Sequence, residues 1–131
     1  GAYLERNSDP FNAHEPVDSS AAAIAAQGLL RLGKYLMAGG REKEGQHYFQ
    51  AGLTVSRHLF DDPYLSRQKA HQGLILHSIY HRPMGWDYVP DGSSIPRGES
   101  SMWGDYHARE LALYLQRVFR KEPYYTFFFN K

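Results

Sequence analysis

The chain has 131 residues, of which 42% are hydrophobic and 22% are charged, and this balance predicts one packed domain and excludes wholesale disorder. Its 15 basic and 14 acidic residues leave a net charge of +1, which gives no electrostatic basis for a nucleic-acid partner. The lack of cysteine excludes disulfides, thiolate metal sites and a cysteine nucleophile. No apolar run approaches the ~20 residues of a membrane span, so no membrane partner is predicted. No signal peptide is visible, and the compartment stays open between cytoplasm and periplasm.

The first part of the sequence predicts an irregular lead-in over 1–17 and a helix over 18–38. Turn-forming residues are frequent in the lead-in. Asp18 or Ser19 can cap the helix, the alanine run that follows has the highest helix propensity, and a pair of glycines ends it. Small residues predict that another helix approaches closely. Residues at every fourth position are expected to form one face of the helix: Ile24, Gly28, Leu32 and Leu36.

A second helix is predicted over 41–60, because its large apolar residues fall near one face. The sequence Asp61-Asp62-Pro63 stops it, since the residue before a proline is disfavoured in a helix. The turn between the two predicted helices is short. We therefore expect them to form an antiparallel hairpin.

The stretch 64–101 is predicted to be a long irregular loop, because proline and glycine recur in it at short intervals. Its apolar segment 73–80 is too short for periodicity to decide between helix and strand. Trp86, Tyr88 and Ile95 are interleaved with the turn residues and argue against disorder. A structureless stretch of this length in a compact domain is usually functional.

The last helix is predicted over 102–120, with Asp105 in its first turn, where a negative charge suits the helix dipole. The tail 121–131 is too apolar to be left in water, and we expect it to pack on the helices or on another chain. These elements together predict an all-α fold. The apolar face of the last helix is predicted to consist of Leu111, Tyr114, Leu115 and Val118.

Three segments resemble the unsaturated glucuronyl hydrolases and their unsaturated rhamnogalacturonyl relatives, in the order in which that family carries them. Asp18–Ala26 resembles the start of one of its helices, and Gly73–Tyr80 resembles its Gly-Leu-Leu-Leu-His-Gly-x-Tyr segment. Ser101–Tyr106 resembles the Trp-Gly-Asp-Tyr-Tyr segment that opens its last helix. Ser78 stands where the family usually has glycine, and His107 stands where an aromatic residue is usual.

The resemblance implies that the chain is the C-terminal portion of an (α/α)6 toroid built from antiparallel helical hairpins. It also implies hydrolysis of oligosaccharides that carry a 4,5-unsaturated uronic acid. In that reaction an aspartic acid protonates the double bond, water adds at the adjacent carbon, and the resulting hemiketal opens so that the sugar linkage breaks. No metal or organic cofactor is implied. The family's catalytic aspartates belong to earlier hairpins, so no catalytic residue is assigned here.

The resemblance assigns substrate-binding roles to Tyr80, His77 and Trp103. Tyr80 is expected to stack on the saccharide next to the cleaved bond, and His77 is expected to form a hydrogen bond with it. The alternative for both is a core residue with one satisfied polar group. Trp103 is expected at the rim of the cleft, or else wedged against the loop.

Two further candidates carry weaker signals. Asp105 is the only residue of the chain that merits testing as a stand-in acid. A helix N-terminus stabilises its charged form, which argues against that role and favours a helix cap. His77 and His81 have the spacing of paired metal ligands, with His71 nearby, but no glutamate accompanies them, and no metal site is predicted.

Two functions therefore stay open from the sequence. The first is a glycoside hydrolase of unsaturated uronides, to which this chain contributes residues that line the cleft. The second is a non-catalytic helical interaction module or a decayed fragment of the toroid. The aromatic content of 15% suits a packed core as well as a sugar-binding cleft. Both functions predict exposed helix faces that favour self-association.

Overall fold

The structure, a computed structural model, describes Arg6 and residues 9–123 and contains three long helices within this range. Helix α1 spans Ser19–Ala38, helix α2 spans Glu42–Leu59 and helix α3 spans Met102–Phe119. A short 3-10 turn spans Arg82–Met84. The described residues form no strand, only an isolated bridge, so the all-α prediction is confirmed at this level. Tyr124–Phe129, expected to pack on a helix or another chain, lies outside the described residues.

None of the described helices is both long and apolar enough to cross a membrane.

The start of α1 depends on Asp18, which is its N-cap. The Asp18 carboxylate accepts hydrogen bonds from the backbone N–H of Ser20 at 2.9 Å and from its hydroxyl at 2.7 Å. It thereby satisfies one of the free amides of the first turn. At the other end the chain turns through Gly40, whose φ of 80° lies in the left-handed region that glycine tolerates. The predicted cap and stop of this helix are confirmed.

Helices α1 and α2 pack closely because glycines line their contact. A Cβ atom added at Gly33 would lie 2.7 Å from the Gly45 carbonyl oxygen, and one added at Gly45 would lie 2.6 Å from the Gly33 carbonyl oxygen. At Gly52 an added Cβ would lie 2.7 Å from Leu30 Cγ. The two helices of the predicted hairpin are therefore in close backbone contact. Gly28, the glycine singled out from the sequence, has no described atom within 4 Å of such a Cβ.

The apolar face that the sequence predicts for α1 is not the face that meets the core. Ile24 is 50% exposed and Leu32 is 40% exposed. Leu36 is the only large residue of the predicted face that is buried. Alanines face the core instead, because small side chains let α2 and α3 both approach the helix. The core cluster consists of Ala23, Ala26, Leu30, Leu59, Ile75, Ala108, Leu111 and Tyr114.

Helix α3 packs on α1 through the face that the sequence predicts. Leu111 and Tyr114 are buried, and Leu115 and Val118 pack against the same core. The Gln27 side chain of α1 donates to the His107 carbonyl at 3.2 Å. A toroid of six hairpins would need more helices than these three, and it stays a prediction.

Candidate functional site

Three rings form a stacked group, the aromatic cluster, which consists of Tyr80, Trp86 and Trp103. The Tyr80 and Trp103 ring centroids are 5.1 Å apart with an interplanar angle of 26°. Tyr80 also stacks with Trp86 at 5.7 Å and 29°. Both pairs fall within the range of offset stacking. Tyr80 is 53% exposed and Trp86 is 57% exposed, so much of the cluster's ring surface is open to solvent.

Trp86 belongs to the site, although its position in the sequence indicated only that the loop is ordered. The 3-10 turn of Arg82–Met84 reverses the chain, and Gly85 follows it in the left-handed region with a φ of 67°. This reversal brings Trp86 back onto Tyr80. His81 contacts the same indole, with centroids 5.2 Å apart. One feature of the sequence could have indicated this role for Trp86: it and Trp103 are the only tryptophans of the chain.

Asp87 closes the loop that carries the aromatic cluster. Its Oδ1 accepts the backbone N–H of Tyr80, and its Oδ2 accepts the backbone N–H of His81 at 3.0 Å. The carboxylate therefore binds two successive amides at the point where the chain leaves the Gly73–Tyr80 segment. A carboxylate acceptor makes each of these bonds stronger than a neutral one would be.

Other carboxylates hold the rest of the segment in the same way. Asp105 accepts from the backbone N–H of Leu74 at 2.9 Å and from that of Ile75 at 3.1 Å. Asp18 accepts from Ile79 N–H at 3.2 Å. These amides lie outside helices and need acceptors of another kind. Backbone carbonyls bind the amides in between, since Leu76 N–H donates to the Tyr64 carbonyl at 2.7 Å and Ser78 N–H donates to the Glu99 carbonyl at 2.9 Å. The side-chain carboxylates therefore complete the backbone pairing of this segment.

The prediction that Asp105 caps α3 is wrong, because its carboxylate binds loop amides and not the amides of the helix. The cap of α3 is Ser101, whose hydroxyl oxygen accepts from Gly104 N–H at 3.1 Å. Asp105 remains in the first turn, but both its oxygens face the loop amides. Its position in the first turn was readable from the sequence. Its partners were not, because they lie about thirty residues earlier in the chain.

Three serines, of which Ser19 and Ser78 are buried and Ser101 is partly buried, join α1 and α3 to the loop. The Ser101 hydroxyl donates to the Ser78 hydroxyl at 2.9 Å, and the Ser78 and Ser19 hydroxyl oxygens lie 3.4 Å apart. A Cβ atom added at Gly104 would lie 2.5 Å from Ser78 Oγ, so only glycine fits there without a shift. Ser78, where the resembled family usually has glycine, thus lies between the starts of two helices, with a short hydrogen bond from Ser101 and a longer one shared with Ser19.

His77 lies in a different set of contacts from the aromatic cluster. It is 4% exposed, and its φ of 66° is unusual for a residue with a side chain. Its ring makes edge contacts with Phe11 at 5.3 Å and Tyr64 at 5.8 Å. The Nδ1 atom accepts a hydrogen bond from Gly98 N–H at 3.1 Å. Of the three predicted site residues, the structure therefore brings Tyr80 and Trp103 together and buries His77 elsewhere.

The surroundings of His77 favour its neutral form. Burial lowers the pKa of His77, a backbone hydrogen bond with Pro63 opposes this, and the positive charge of Arg97 lowers it further. A proton on Nδ1 would also oppose the Gly98 N–H. Burial, together with the charge of Asp9, raises the pKa of the neighbouring Tyr64. The imidazole thus serves as a hydrogen-bond acceptor in the interior of the loop.

The three histidines considered as metal ligands do not form a site. His71 shares a hydrogen bond with the Ser66 hydroxyl at 2.8 Å, and His77 and His81 have the separate contacts given above. Across Arg6 and 9–123, no three histidine, aspartate or glutamate side chains are grouped in a way that suits a metal ion.

Compared with protein-family models, with curated proteins and with solved structures, the chain matches none. The resemblance to unsaturated-uronyl hydrolases therefore depends on the three sequence segments alone.

Proposed function

We propose that this chain is the C-terminal portion of a hydrolase of 4,5-unsaturated uronides and that it supplies an aromatic wall of the sugar-binding cleft. One observation carries the proposal. Tyr80 ends the second segment of the resemblance and Trp103 lies in the third, and their rings stack at 5.1 Å. Two motifs that are well separated in sequence thus meet at one partly exposed surface, as expected of motifs that serve one site.

The cluster suits a sugar in physical terms. The faces of a pyranose carry C–H groups, which bury apolar area against flat rings, while its hydroxyls stay in contact with water. Tyr80 and Trp86 keep more than half of their surface exposed, so rings are available at this surface without unfolding the loop. The carboxylates that hold the loop keep these rings in place before a ligand arrives, which lowers the entropy loss of binding.

No step of the double-bond hydration is assigned to a residue of this chain. Asp105 and Asp87 are the carboxylates nearest the cluster in sequence, and each accepts two backbone N–H groups. Their oxygens are engaged in holding the loop. The proposal therefore gives this chain a binding role and leaves proton transfer to residues that precede Asp18 in the complete enzyme. It requires no metal or cofactor.

Tryptophan fluorescence tests the proposal directly, because both tryptophans of the chain belong to the cluster. Titration with an unsaturated uronyl disaccharide is expected to change the emission saturably in the millimolar range. Titration with a disaccharide lacking a uronic acid is the control and is expected to give a weaker response. A flat titration with the unsaturated disaccharide, on protein with intact helicity, would contradict the proposal.

A second candidate function is supported by a separate observation. Ile24, Gly28, Leu32 and Tyr35 lie along one side of α1, and the three large residues among them are 50%, 40% and 77% exposed. An apolar stripe of this kind is typical of an interaction surface. As an interaction module, the chain would self-associate through this stripe and would bind no sugar. Sedimentation velocity tests association through the stripe, and the titration above distinguishes the two functions, because only the first binds the sugar.

A further inference from the structure

We propose that Asp87 is the positioning residue of the aromatic cluster and that it sets the place of Trp86 against Tyr80. This inference rests on the proposed function only where it concerns sugar binding. The contacts that carry it are the two hydrogen bonds of the Asp87 carboxylate to the backbone amides of Tyr80 and His81.

The chain order makes this linkage direct. Asp87 immediately follows Trp86, so fixing the Asp87 carboxylate on the Tyr80 amide also fixes the indole beside the Tyr80 ring. The bonds are bidentate and define both a distance and an orientation. The intervening turn has two backbone hydrogen bonds of its own, from Met84 N–H to the His81 carbonyl at 3.1 Å and from Gly85 N–H to the Arg82 carbonyl at 3.0 Å. Beyond Asp87, the Tyr88 N–H donates to the Glu99 carboxylate at 3.1 Å. Asp87 is the side chain that ties the returning chain directly to the Tyr80 backbone.

The other half of the cluster is restrained independently. Trp103 lies in the first turn of α3, which begins at its Ser101 cap. Asp105, two residues further along the helix, holds α3 on the amides of Leu74 and Ile75. Loss of the Asp87 carboxylate should therefore release Trp86 while Trp103 stays beside Tyr80. A general destabilisation of the loop would affect both tryptophans, so the two causes are distinguishable.

The test uses two versions of the chain, each with one tryptophan. Trp103→Phe leaves Trp86 as the reporter, and Trp86→Phe leaves Trp103. Into each we place Asp87→Asn, which keeps the shape but sets an amide NH2 against one of the two backbone N–H groups. Asp91→Asn is the matched control, because Asp91 is an exposed carboxylate four residues further along the same loop. Acrylamide quenching measures the accessibility of each indole.

Asp87→Asn is expected to increase the quenching of Trp86 and to leave that of Trp103 unchanged, while Asp91→Asn changes neither. Far-UV circular dichroism should show the same helix content in every variant. If Asp87→Asn lowers the helix content, Asp87→Glu replaces it in the comparison. This variant keeps both acceptors but displaces them by one methylene, so it also shifts Trp86. Unchanged quenching of Trp86 in the folded variant would overturn the proposal, as would an equal change at Trp103.

The effect on sugar binding is measured separately in the chain with both tryptophans. Asp87→Asn is expected to weaken binding of the unsaturated disaccharide about two- to tenfold, because Trp86 must then be ordered by the ligand. A wild-type chain that binds no disaccharide, together with selective release of Trp86, would reject the proposed function and leave the positioning role intact. Unchanged affinity in the variant, with clear binding by the wild type, would reject the role of Asp87 in the site.

Discussion

Tyr80 and Trp103 stack with their ring centroids 5.1 Å apart, and this contact joins the end of an irregular segment to the first turn of α3. Neither element would hold its ring in place alone. The segment around Tyr80 has no ladder partner apart from the isolated bridge between Leu65 and Ile75, and Trp103 projects from the start of a helix. Asp105 and the Ser101 hydroxyl both bind the segment to the start of α3 and thereby support the contact.

Replacing Tyr80 separates the contribution of its ring from that of its hydroxyl. Tyr80→Ala removes two stacked pairs and is expected to lower the free energy of unfolding by about 1–3 kcal/mol, at about 0.5–1.5 kcal/mol for each pair. It should also weaken binding of the unsaturated disaccharide by about tenfold or more. Tyr80→Phe keeps the ring and should keep both properties. Urea denaturation and fluorescence titration measure them. Weak binding by Tyr80→Phe with full stability would show that the hydroxyl, and not the stack, recognises the sugar.

Removing the Asp105 carboxylate should loosen the loop more than the helices. Asp105→Ala leaves the amides of Leu74 and Ile75 without their acceptor, and hydrogen bonds to a charged group contribute about 1.5–3 kcal/mol each. Because water can replace the acceptor at the exposed Leu74 amide, we expect a total loss of about 2–4 kcal/mol. Hydrogen exchange at these two amides should accelerate strongly. Glu110→Ala, on the same helix, is the control and should change neither the stability nor the hydrogen exchange of these amides. Slow exchange at Leu74 in Asp105→Ala would contradict this account.

The buried His77 predicts a loss of stability on acidification. Its pKa is lowered in the folded chain, mainly by burial, so between that value and the ordinary 6.5 the unfolded chain binds a proton that the folded chain does not. Stability should therefore fall as the pH decreases below about 6.5, by at most about 1.4 kcal/mol per pH unit, and level off below the folded-state pKa.

Urea denaturation at pH 7.5 and 5.5 measures this dependence. His77→Asn removes the titrating ring and keeps a residue type that tolerates the left-handed backbone, so it should reduce the difference between the two pH values. His47→Asn, at an exposed position of α2, is the control and should leave the difference unchanged. An equal pH dependence in wild type and His77→Asn would exclude His77 as its source.

Two glycine substitutions test the contact between α1 and α2. Gly45→Ala places a methyl group 2.5 Å from Met37 Cγ and 2.6 Å from the Gly33 carbonyl oxygen, which forces the helices apart. We expect a loss of about 1–3 kcal/mol. Gly28→Ala meets nothing described within 4 Å and should stabilise the chain by about 0.5–1 kcal/mol through helix propensity. Thermal unfolding measures both, and a stable Gly45→Ala would contradict the observed approach of the helices.

The sequence predicted the three helices well because caps, breakers and propensity act locally. Asp18 caps the helix that follows it, and Ser101 lies next to the helix that it caps. The inward face of α1 was not predictable in the same way. Its apolar residues surround the helix, so periodicity defines a spacing without deciding which side meets α2 and α3. Ala23 and Leu30 have a spacing that places them on one side of a helix, and so do the exposed Ile24 and Leu32, yet only the first pair faces the core.

In the candidate site, too, local features could be predicted from the sequence and long-range contacts could not. The resemblance gave both Tyr80 and Trp103 binding roles, but it did not predict that their rings stack. Trp86 joins them through a turn that ends at Gly85, and the sequence assigned Trp86 no such role. His77 was expected beside Tyr80 because they share a short segment. The left-handed backbone at His77 turns it into the interior, and no local pattern in the sequence marks that conformation. Long-range carboxylate–amide bonds, such as Asp105 to Leu74, are likewise invisible to spacing.

The exposed stripe of α1 predicts self-association. Ile24 and Leu32 are 50% and 40% exposed, and Gly28 between them leaves room for the backbone of another helix. Sedimentation velocity at rising protein concentration should show species larger than the monomer. Introducing Ile24→Glu and Leu32→Glu together should restore the monomer without loss of helicity, since both positions face solvent in the single chain. Gln50→Glu, at an exposed position of α2, adds a negative charge elsewhere and should leave the association unchanged. A wild-type chain that stays monomeric at every concentration would show that this stripe does not bind a second copy.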